Sequence, residues 1–236
     1  MDSTSHTPTG PWVFDEGGAQ CFDDMVERSV PMYRQTIELI ADYAARHLRD
    51  GDTVVDLGVS NGQAINYFRE RLADRRLRFI GVDNSAPMLQ RAKDALPESV
   101  ELIEHDLRDG LPYRVKAAKP RVILSLWTLQ FIPIEYRAGV VRGMYEALID
   151  NGAAFVAEKI RGQTASHEAM CRRIYHEWKQ SRGYSKESID AKAESMQGRL
   201  VSLSAPENKA MLAGEGFSPE EFIRFVSFGA YYCLKR

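Results

Sequence analysis

The stretch that decides the fold is Val55-Asp56-Leu57-Gly58-Val59-Ser60-Asn61-Gly62. It follows a short apolar run and precedes a helical pattern. Gly58 lets the backbone turn sharply and approach a ligand, while Gly62 permits close packing at the helix start. The dinucleotide fingerprint would have a glycine at Ser60, and a P-loop would continue with Gly-Lys-Ser/Thr. The stretch therefore predicts a turn that binds a nucleoside without a diphosphate.

From position 53 the chain alternates between strand-like and helix-like patterns. Short apolar runs rich in β-branched residues predict strands at 53–57, 77–83, 100–103, 121–126 and 153–157. Apolar residues at three-and-four spacing predict helices at 63–73, 86–96 and 135–149, and a further helix over 29–48 begins near Pro31. Near-continuous apolar strands separated by helices are typical of a parallel sheet covered on both faces. The pattern predicts an α/β, doubly wound fold.

After the fifth strand the pattern changes. Two consecutive helices are predicted at 163–182 and 185–198, with no strand between them. Such an insertion, at 163–198, is expected to lie over the carboxyl ends of the strands as a lid. A helix at 205–215 and strands at 221–228 and 230–234 follow, and Gly229 predicts a hairpin between those strands. We expect a seven-stranded, mostly parallel sheet with an antiparallel C-terminal edge strand.

Length and composition favour one soluble domain. The 236 residues are 44% hydrophobic and 27% charged, which is average globular usage. Lysine and arginine number 31 against 33 acidic residues, and this balance argues against a protein that coats nucleic acid. The three cysteines, Cys21, Cys171 and Cys233, form no CxxC pair and indicate a reducing cytoplasm. With no long apolar window and a polar start, we predict no membrane span and no export signal. Residues 1–11 are expected to be a flexible lead-in to a single domain over 12–236.

Two acidic residues follow the next predicted strands. Asp83 ends the second strand, where a carboxylate can accept hydrogen bonds from both hydroxyls of a ribose. Asp106 follows the third strand and is suitably placed for an adenine amino group. The glycine turn alone is also compatible with an ordinary strand-to-helix connection. Combined with acids at successive strand ends, it predicts an adenosyl pocket.

These residues carry a family resemblance. The chain resembles class I S-adenosylmethionine (SAM)-dependent methyltransferases, which have a Rossmann-like fold, and more closely the carboxy-SAM synthases of tRNA wobble-uridine modification. Matching stretches run from about Trp12 to the C-terminus: Phe14-Asp15-Glu16, Phe22-Asp23-Asp24-Met25, Arg28-Ser29-Val30-Pro31-Met32-Tyr33, Asp56-Leu57-Gly58, Val82-Asp83-Asn84-Ser85-Ala86-Pro87-Met88, Thr128-Leu129-Gln130-Phe131, Glu158-Lys159 and Gly183-Tyr184-Ser185. The Arg-Ser-Val-Pro and Thr-Leu-Gln-Phe stretches are specific to the synthases.

The resemblance implies that the chain binds SAM and forms a homodimer. It also implies which residues contact the cofactor: Tyr33, Gly58, Val59, Ser60, Asp83, Asn84, Asp106 and Leu107.

Two positions depart from the synthase pattern. The arginine that pairs with the extra carboxylate of carboxy-SAM, ten positions after Gly183, is Ala193 here, which offers no donor. The asparagine two positions before Thr-Leu-Gln-Phe is Leu126, and we assign Ser125, one step earlier, to the cofactor instead. The simplest interpretation is a protein that binds SAM and transfers its plain methyl group. The alternative is that another arginine replaces the missing one, the candidates being Arg199, Arg172, Arg173 and Arg182.

Methyl transfer requires alignment more than specialised chemistry, because the sulfonium already activates the methyl carbon. If the acceptor must lose a proton, His176 and Glu158 are the candidate general bases. The alternatives without a catalytic role are that His176 lies on the surface of a helix and that Glu158 forms a structural ion pair with Lys159. We predict no metal site, since the histidines and acids lack metal-ligand spacing.

Aromatic residues and arginines are expected to line the substrate side. Aromatic rings attract a sulfonium and form a flat wall for an unsaturated acceptor, although core packing is the alternative. The candidate substrate-binding residues are Arg28, Trp127, Tyr175, Tyr184 and Arg199.

Three functions remain in competition. The first is a methyltransferase for a small aromatic or carboxylated metabolite, and the second is carboxy-SAM synthesis, with prephenate supplying the carboxylate. The third is a non-enzymatic SAM-binding subunit or tRNA-associated scaffold. Direct nucleic-acid binding has little support, because the basic run at 71–78 falls where a helix ends and arginines commonly cap carbonyls.

Overall fold

A mostly parallel β-sheet forms the centre of the fold, seen in a computed structural model that describes residues 16–17 and 22–235. Its strands are β1 (Thr53–Leu57), β2 (Arg78–Asp83), β3 (Glu101–Glu104), β4 (Val122–Leu126), β5 (Ala153–Arg161), β6 (Leu203–Ser204), β7 (Ser218–Phe225) and β8 (Phe228–Leu234). The order is β3-β2-β1-β4-β5-β8-β7, and the short β6 pairs with β5. The predicted α/β, mostly parallel sheet is confirmed.

The strand order reverses at β1, which pairs in parallel with β2 on one side and β4 on the other. The chain winds outward from this point in both directions. Ligands of open α/β sheets bind in the crevice outside the carboxyl ends of the strands at such a reversal. The fold therefore places the turn after β1 and the segment after β4 at the position where a ligand is expected.

Nine α-helices with both ends inside the described ranges accompany the sheet, together with two 3₁₀ helices at Leu107–Asp109 and Leu129–Phe131. The α-helices are α1 (Phe22–Ser29), α2 (Tyr33–Ala44), α3 (Gln63–Arg71), α4 (Ala86–Ala95), α5 (Tyr113–Ala118), α6 (Ile134–Ala147), α7 (Ala165–Ser181), α8 (Lys186–Ser195) and α9 (Ala205–Gly214). The helix predicted over 29–48 is observed as the shorter α2, which begins after a turn at Pro31 and Met32, where Met32 has φ 57°. The helix α1 before this turn was not predicted. The short α5 and the two-residue β6 were too brief to predict from periodicity.

Local sequence explains where several helices start. Ser85 accepts a hydrogen bond from Met88 N (3.3 Å) at the start of α4. Ser204 and Glu207 form a reciprocal capping box at α9. Such caps satisfy backbone N–H groups that lack partners inside the helix.

The buried side chains form two layers, one on each face of the sheet. Val54 of β1 packs in the layer that contains Ile37 and Phe68. Its neighbour Val55 faces the opposite layer, which contains Met144. Alternation along a strand sends successive side chains to opposite faces, so a fully apolar strand is buried on both sides.

The C-terminal hairpin differs from the prediction in its turn. The turn consists of Val226 and Ser227, while Gly229 lies inside β8, paired with Glu158 of β5. Ile160 N donates to Ser227 O (2.8 Å), so the turn is tied to the neighbouring strand. The antiparallel sheet edge is confirmed, but β7 is outermost and the C-terminal β8 lies between β5 and β7.

Some predictions fall on residues outside the described ranges. They concern the lead-in at 1–11, the matching residues Phe14 and Asp15, and Cys21. In the part of the chain that is described, no helix combines the length and apolar character needed to cross a membrane.

Candidate functional site

A cavity of about 1060 Å³ lies at the carboxyl ends of the strands. The turn after β1, the ends of β2 and β4, and the segments after β3 and β4 form its floor, and α7 and α8 contribute its outer wall. The inserted helices thus occupy the predicted lid position. The volume is at the upper end of ordinary ligand pockets, so it has room for a nucleoside cofactor together with a small second molecule.

The glycine turn has the sharp backbone bend predicted at Gly58 and the close packing predicted at Gly62, and Gly58 has a further contact. A Cβ at Gly62 would lie 2.6 Å from Leu96 Cδ1, so the missing side chain permits close packing at the start of α3. Gly58 has φ +80°, and a Cβ there would lie 2.2 Å from Thr128 Oγ1. The space beside Gly58 is therefore filled by Thr128, whose hydroxyl donates to Leu57 O (2.9 Å).

Asp83 supports the turn as well as facing the cavity. Its carboxylate accepts hydrogen bonds from Ser60 N (2.8 Å) and Ser85 N (2.9 Å). Burial raises the pKa of Asp83 above its usual range, and these backbone donors oppose that rise. The carboxylate lines the cavity, where its remaining acceptor capacity faces the predicted ribose position.

A second buried acid, Asp56, lies on the cavity wall at the end of β1. It is 2% exposed, and burial, followed by the charge of Asp83, raises its pKa to about 7. Asp56 belongs to a matching stretch, yet its environment could not be read from spacing. A carboxyl group with this pKa is about half ionised at neutral pH, and a cationic cofactor beside it would favour the ionised form.

The segment after β3 also reaches the cavity, through Asp106, Leu107 and Asn84 from the turn after β2. Both oxygens of Asp106 accept hydrogen bonds from Arg108 Nε, at 3.0 and 2.9 Å. This pairing lowers the pKa of Asp106 to about 2, so the group is a permanent carboxylate. Its contact with an adenine amino group stays a prediction.

Two aromatic rings stand at the reversal point of the sheet. The centroids of Tyr33 and Trp127 are 4.8 Å apart, and both rings line the cavity. Burial raises the pKa of the Tyr33 hydroxyl, so it remains protonated. Trp127 has φ 55°, which costs a non-glycine residue about 1–2 kcal/mol. Such strain, held at the end of β4, is typical of functional sites.

The assignment of Ser125 to the cofactor is corrected by the structure. Ser125 is 0% exposed inside β4, and the side chain that lines the cavity at this point is the apolar Leu126. The two residues alternate across the strand, so only one of them can face the site. The cavity wall at the end of β4 therefore carries no polar side chain where the family has an asparagine.

The helix α7 presents one face to the cavity. The residues of this stripe are spaced by three or four positions: Glu168, Arg172, Tyr175, His176 and Lys179. Burial, with the nearby charge of Lys179, lowers the pKa of His176. A neutral imidazole that faces the cavity has the protonation state required of a general base. The assignment of His176 stays a prediction.

The assignment of Glu158 as a general base is corrected. Glu158 is 2% exposed and does not lie among the cavity-lining residues of the described chain. Its two oxygens accept from Leu129 N (3.0 Å) and Gln130 N (2.8 Å). Burial raises its pKa to about 8. Glu158 therefore holds the segment after β4 in place rather than meeting a substrate.

Arg28 and Tyr184, predicted to bind the substrate, lie beside the cavity and contact each other, so their role in binding stays a prediction. The Arg28 guanidinium stacks 4.4 Å from the centroid of the Tyr184 ring, and its Nε donates to Arg182 O (3.0 Å). The Tyr184 hydroxyl forms a hydrogen bond with Ser29 Oγ (3.1 Å). Neither side chain lines the cavity within the described ranges. Both join the end of the lid helix α7 to α1.

Tyr175 lines the cavity, and it also joins the lid helix α7 to α1. Its hydroxyl donates to Ser29 O (2.6 Å), and its ring stacks with Trp178 at 6.1 Å. Two lysines face the same ring, with Lys159 Nζ 4.9 Å and Lys179 Nζ 5.2 Å from its centroid. The sequence offered Lys159 only as an ion-pair partner of Glu158 and gave Lys179 no role, because the strand β5 and the lid helix meet only in the folded chain.

The structure also shows where the position of the family's missing arginine lies. Ala193 lies on α8 in the cavity wall, where it adds no donor. Among the proposed replacements, Arg199 and Arg172 line the cavity, whereas Arg173 and Arg182 do not. Arg172 lies 3.7 Å from Glu168, and no ion pair is found for Arg199 within the described chain.

The described residues contain no group of three or more histidine, cysteine or acidic side chains arranged to hold a metal ion.

Comparison with known proteins decides the family. Residues 54–152 match the family described as a methyltransferase domain. The carboxy-S-adenosyl-L-methionine synthase of Wolinella succinogenes is 34% identical over 227 residues, covering 94% of this chain and 92% of the relative. The protein of that name from Escherichia coli strain K12 is 31% identical over 232 residues, covering 96% and 92%.

The chain belongs to the carboxy-S-adenosyl-L-methionine synthase family. Membership makes it an enzyme that transfers one-carbon groups with SAM as its cofactor. The resemblance seen in the sequence motifs is thereby confirmed.

Solved structures support the fold. An O-methyltransferase family protein from Burkholderia thailandensis has a TM-score of 0.67 at 14% identity, covering 94% of this chain and 60% of that one. The DhpI–SAH complex has a TM-score of 0.61 at 16% identity, covering 92% and 91%. At these identities the likeness concerns the Rossmann-like methyltransferase fold alone.

The residues of the synthase-family site fit the adenosyl part of SAM. Ser60 Oγ is buried on the cavity turn with no hydrogen-bond partner in the described chain, so a polar ligand group would satisfy it. Asp83 and Asp106 follow it at successive strand ends.

Proposed function

We propose that this member of the synthase family transfers the plain methyl group of SAM to a small aromatic or carboxylated metabolite. The observation that carries the proposal is the composition of the wall facing the transferred group. Ala193 and Leu126 both line the cavity and supply no polar atom, while the residues expected to hold adenosine converge. A carboxylate beside the sulfonium would have no guanidinium at position 193 to pair with.

The chain's own residues have defined tasks in this reaction. SAM supplies a methyl carbon that is already activated, so alignment is the main requirement. Tyr33 and Trp127 form an aromatic wall that favours a positive charge and a flat acceptor. His176, held neutral on the lid face, would accept a proton from the acceptor where the chemistry needs one. The lid helices, which form the outer wall of the cavity, would limit the access of water to the methyl group.

The direct test uses purified protein, SAM labelled in the methyl group, and metabolite extracts. Transfer of label to a small acceptor is expected, and His176→Gln should reduce it without loss of SAM binding. A matched control is His47→Gln, since His47 lies outside the cavity and meets Tyr232. No labelled product from any extract would count against methyl transfer.

A second function, carboxy-SAM synthesis, is favoured by one observation. Arg199 lines the cavity without an ion pair in the described chain, so a guanidinium is available near the altered α8 wall. Mass spectrometry of the ligand that remains bound through purification separates the two functions. A ligand heavier than SAM by one carboxylate would establish the synthase activity and overturn the proposal.

The position of Ala193 can be tested independently of turnover. Ala193→Arg restores the missing donor, so its affinity for carboxy-SAM relative to SAM should rise about tenfold or more. Ala191→Arg, on the same helix but outside the cavity wall, is the control. An unchanged ratio of affinities would show that position 193 does not determine which cofactor binds.

The partners follow from the same proposal. The acceptor is a small molecule, the chain forms a homodimer as the family resemblance implies, and nucleic acid is not bound directly. Light scattering measures the subunit number. A gel shift with tRNA at several salt concentrations would reveal nucleic-acid binding, whose affinity falls as salt rises.

A further inference from the structure

We propose that Lys159 and Lys179, standing on the ring of Tyr175, form the subsite that binds the carboxylate of the acceptor. The inference rests on the proposed function and narrows it, because it requires the acceptor to carry an anionic group.

The two lysines reach one place from different elements. Lys159 lies in the rigid strand β5, and Lys179 lies near the end of the lid helix α7. Both side chains line the cavity, and both ammonium groups lie about 5 Å from the Tyr175 centroid, at 4.9 and 5.2 Å. Lys179 also lies 5.2 Å from the Tyr184 centroid. An anion between the ammonium groups would contact the sheet and the lid together.

Burial makes this arrangement unusual. Lys179 is only 7% exposed, and Lys159 is half-buried. Lysine is almost never fully buried unless it is paired. Its neighbours here are aromatic rings and a second cation, and the charge of Lys159 adds to burial in lowering the pKa of Lys179. A bound anion would relieve both the desolvation and the repulsion.

The nearby carboxylates are engaged elsewhere. Glu168 Oε2 accepts from Gly162 N (2.6 Å), and the other oxygen of Glu168 is 3.7 Å from Arg172. Asp190 accepts from Lys186 Nζ (2.6 Å). Within the described residues, neither cavity lysine has an ion pair with an acidic side chain. The protein therefore leaves the two ammonium groups to a ligand.

The position of the lysine pair favours binding of the acceptor rather than of the cofactor. The residues that hold adenosine follow β1, β2 and β3, whereas the lysine pair stands at β5 and the lid, on the other side of the β1–β4 reversal. Tyr175 and Trp127 add flat surfaces to the cavity, as an aromatic carboxylate requires. A carboxylate on an aromatic or unsaturated acceptor matches both features.

The test measures binding rather than turnover. Calorimetry would follow the binding of phenylpyruvate and 4-hydroxybenzoate to the full chain saturated with S-adenosylhomocysteine. The neutral 4-hydroxybenzamide and inorganic phosphate complete the set of probes. The variants are Lys159→Met and Lys179→Met, which keep the side-chain length, and the control is Lys93→Met, an exposed lysine outside the cavity.

The expected result is a loss of about tenfold to a hundredfold in carboxylate affinity for each cavity variant, because each removes one charged donor. Affinity for S-adenosylhomocysteine and for the amide should not change, and Lys93→Met should behave as the unaltered chain. Near-ultraviolet circular dichroism verifies that the variants are folded.

Four results would overturn the inference. Carboxylate affinity that is equal in the cavity variants and the unaltered chain would remove the lysines from the subsite. A parallel loss of S-adenosylhomocysteine affinity would assign them to the cofactor's own carboxylate. Failure of both carboxylates to bind at millimolar concentrations, or a preference for phosphate, would exclude a carboxylate site. Because no methyl transfer is measured, failure of the proposed function is detected separately, with labelled SAM.

Discussion

Asp83 joins the glycine turn to the cavity through one side chain. Its oxygens accept from Ser60 N and Ser85 N while the carboxylate lines the cavity, where the ribose is predicted to bind. Two structural tasks and one binding task thus depend on a single charged group. Residues that combine such tasks are sensitive even to an isosteric substitution.

Asp83→Asn should weaken S-adenosylhomocysteine binding at least tenfold, because an amide offers one acceptor oxygen where the carboxylate offers two. Titration calorimetry measures the change. Asp94→Asn is the control, since Asp94 is exposed on the surface of α4 and accepts from Gln90. Equal affinities for both variants would remove Asp83 from the cofactor site.

Lys179 makes a prediction about stability and pH. Burial, then the charge of Lys159, lowers its pKa from 10.5 to about 8. The unfolded chain therefore holds this proton to a higher pH than the folded chain. The destabilising effect is complete below about pH 8 and disappears as the pH rises toward 10.5.

Lys179→Met should accordingly raise the free energy of unfolding by about 1–3 kcal/mol near neutral pH, with the gain shrinking at alkaline pH. Urea unfolding at several pH values measures it. Lys93→Met, exposed on α4, should give no pH-dependent gain. A loss of stability in Lys179→Met near neutral pH would contradict the assignment of Lys179 as an unpaired buried cation.

At the scale of elements, β4 and β5 are coupled through Glu158, which holds the segment after β4 by two backbone N–H groups. Glu158→Gln retains one acceptor and should destabilise the protein by about 1–3 kcal/mol, since one buried N–H loses its partner. Methyl transfer should fall while the pH profile of kcat keeps its shape. A change in the profile, read from initial rates, would restore Glu158 as a proton acceptor.

The lid is attached to α1 by Arg28, which bonds Arg182 O and stacks on Tyr184. Arg28→Leu should loosen this junction and speed amide hydrogen exchange in the last turns of α7, with about 1–2 kcal/mol of local stability lost. Arg34→Leu is the control, because Arg34 pairs with Glu38 on the same helix. Unchanged exchange in α7 would show that the lid is held by other contacts.

Elements that depend on local pattern were predictable, and their tertiary contacts were not. The strand at 53–57 and the helix starting at Gln63 agree with the structure because periodicity and the glycine turn are local signals. The hairpin turn was misplaced because Gly229 looks like a turn residue in isolation. Its pairing with β5, decided by the sheet, keeps it in β8.

In the candidate site, too, the features set by local pattern were predictable and those set by tertiary contacts were not. The meeting of Gly58, Asp83 and Asp106 at one cavity was predictable because they follow consecutive strands of a known order. The direction of Ser125 and of Glu158 was not, since one residue of register exchanges the two faces of a strand. The lysine subsite depends on the packing of α7 over β5, which no spacing within the sequence expresses.

At the scale of the whole molecule, the cavity lies between the sheet and the lid, so a ligand that fills it should stabilise the entire fold. S-adenosylhomocysteine at about one hundred times its Kd should add about 2.7 kcal/mol to the free energy of unfolding. For a chain of this size the corresponding rise in Tm is about 5–10 °C. Differential scanning calorimetry measures it, and an unchanged Tm would contradict cofactor binding.

The contact between Gly58 and Thr128 makes position 58 resistant to substitution for two separate reasons. A side chain at 58 would collide with the threonine at 2.2 Å, and it would also have to adopt φ +80°. Shortening position 128 removes the collision but leaves the backbone strain. We therefore expect descendants of this chain to keep glycine at 58 even where residue 128 becomes smaller.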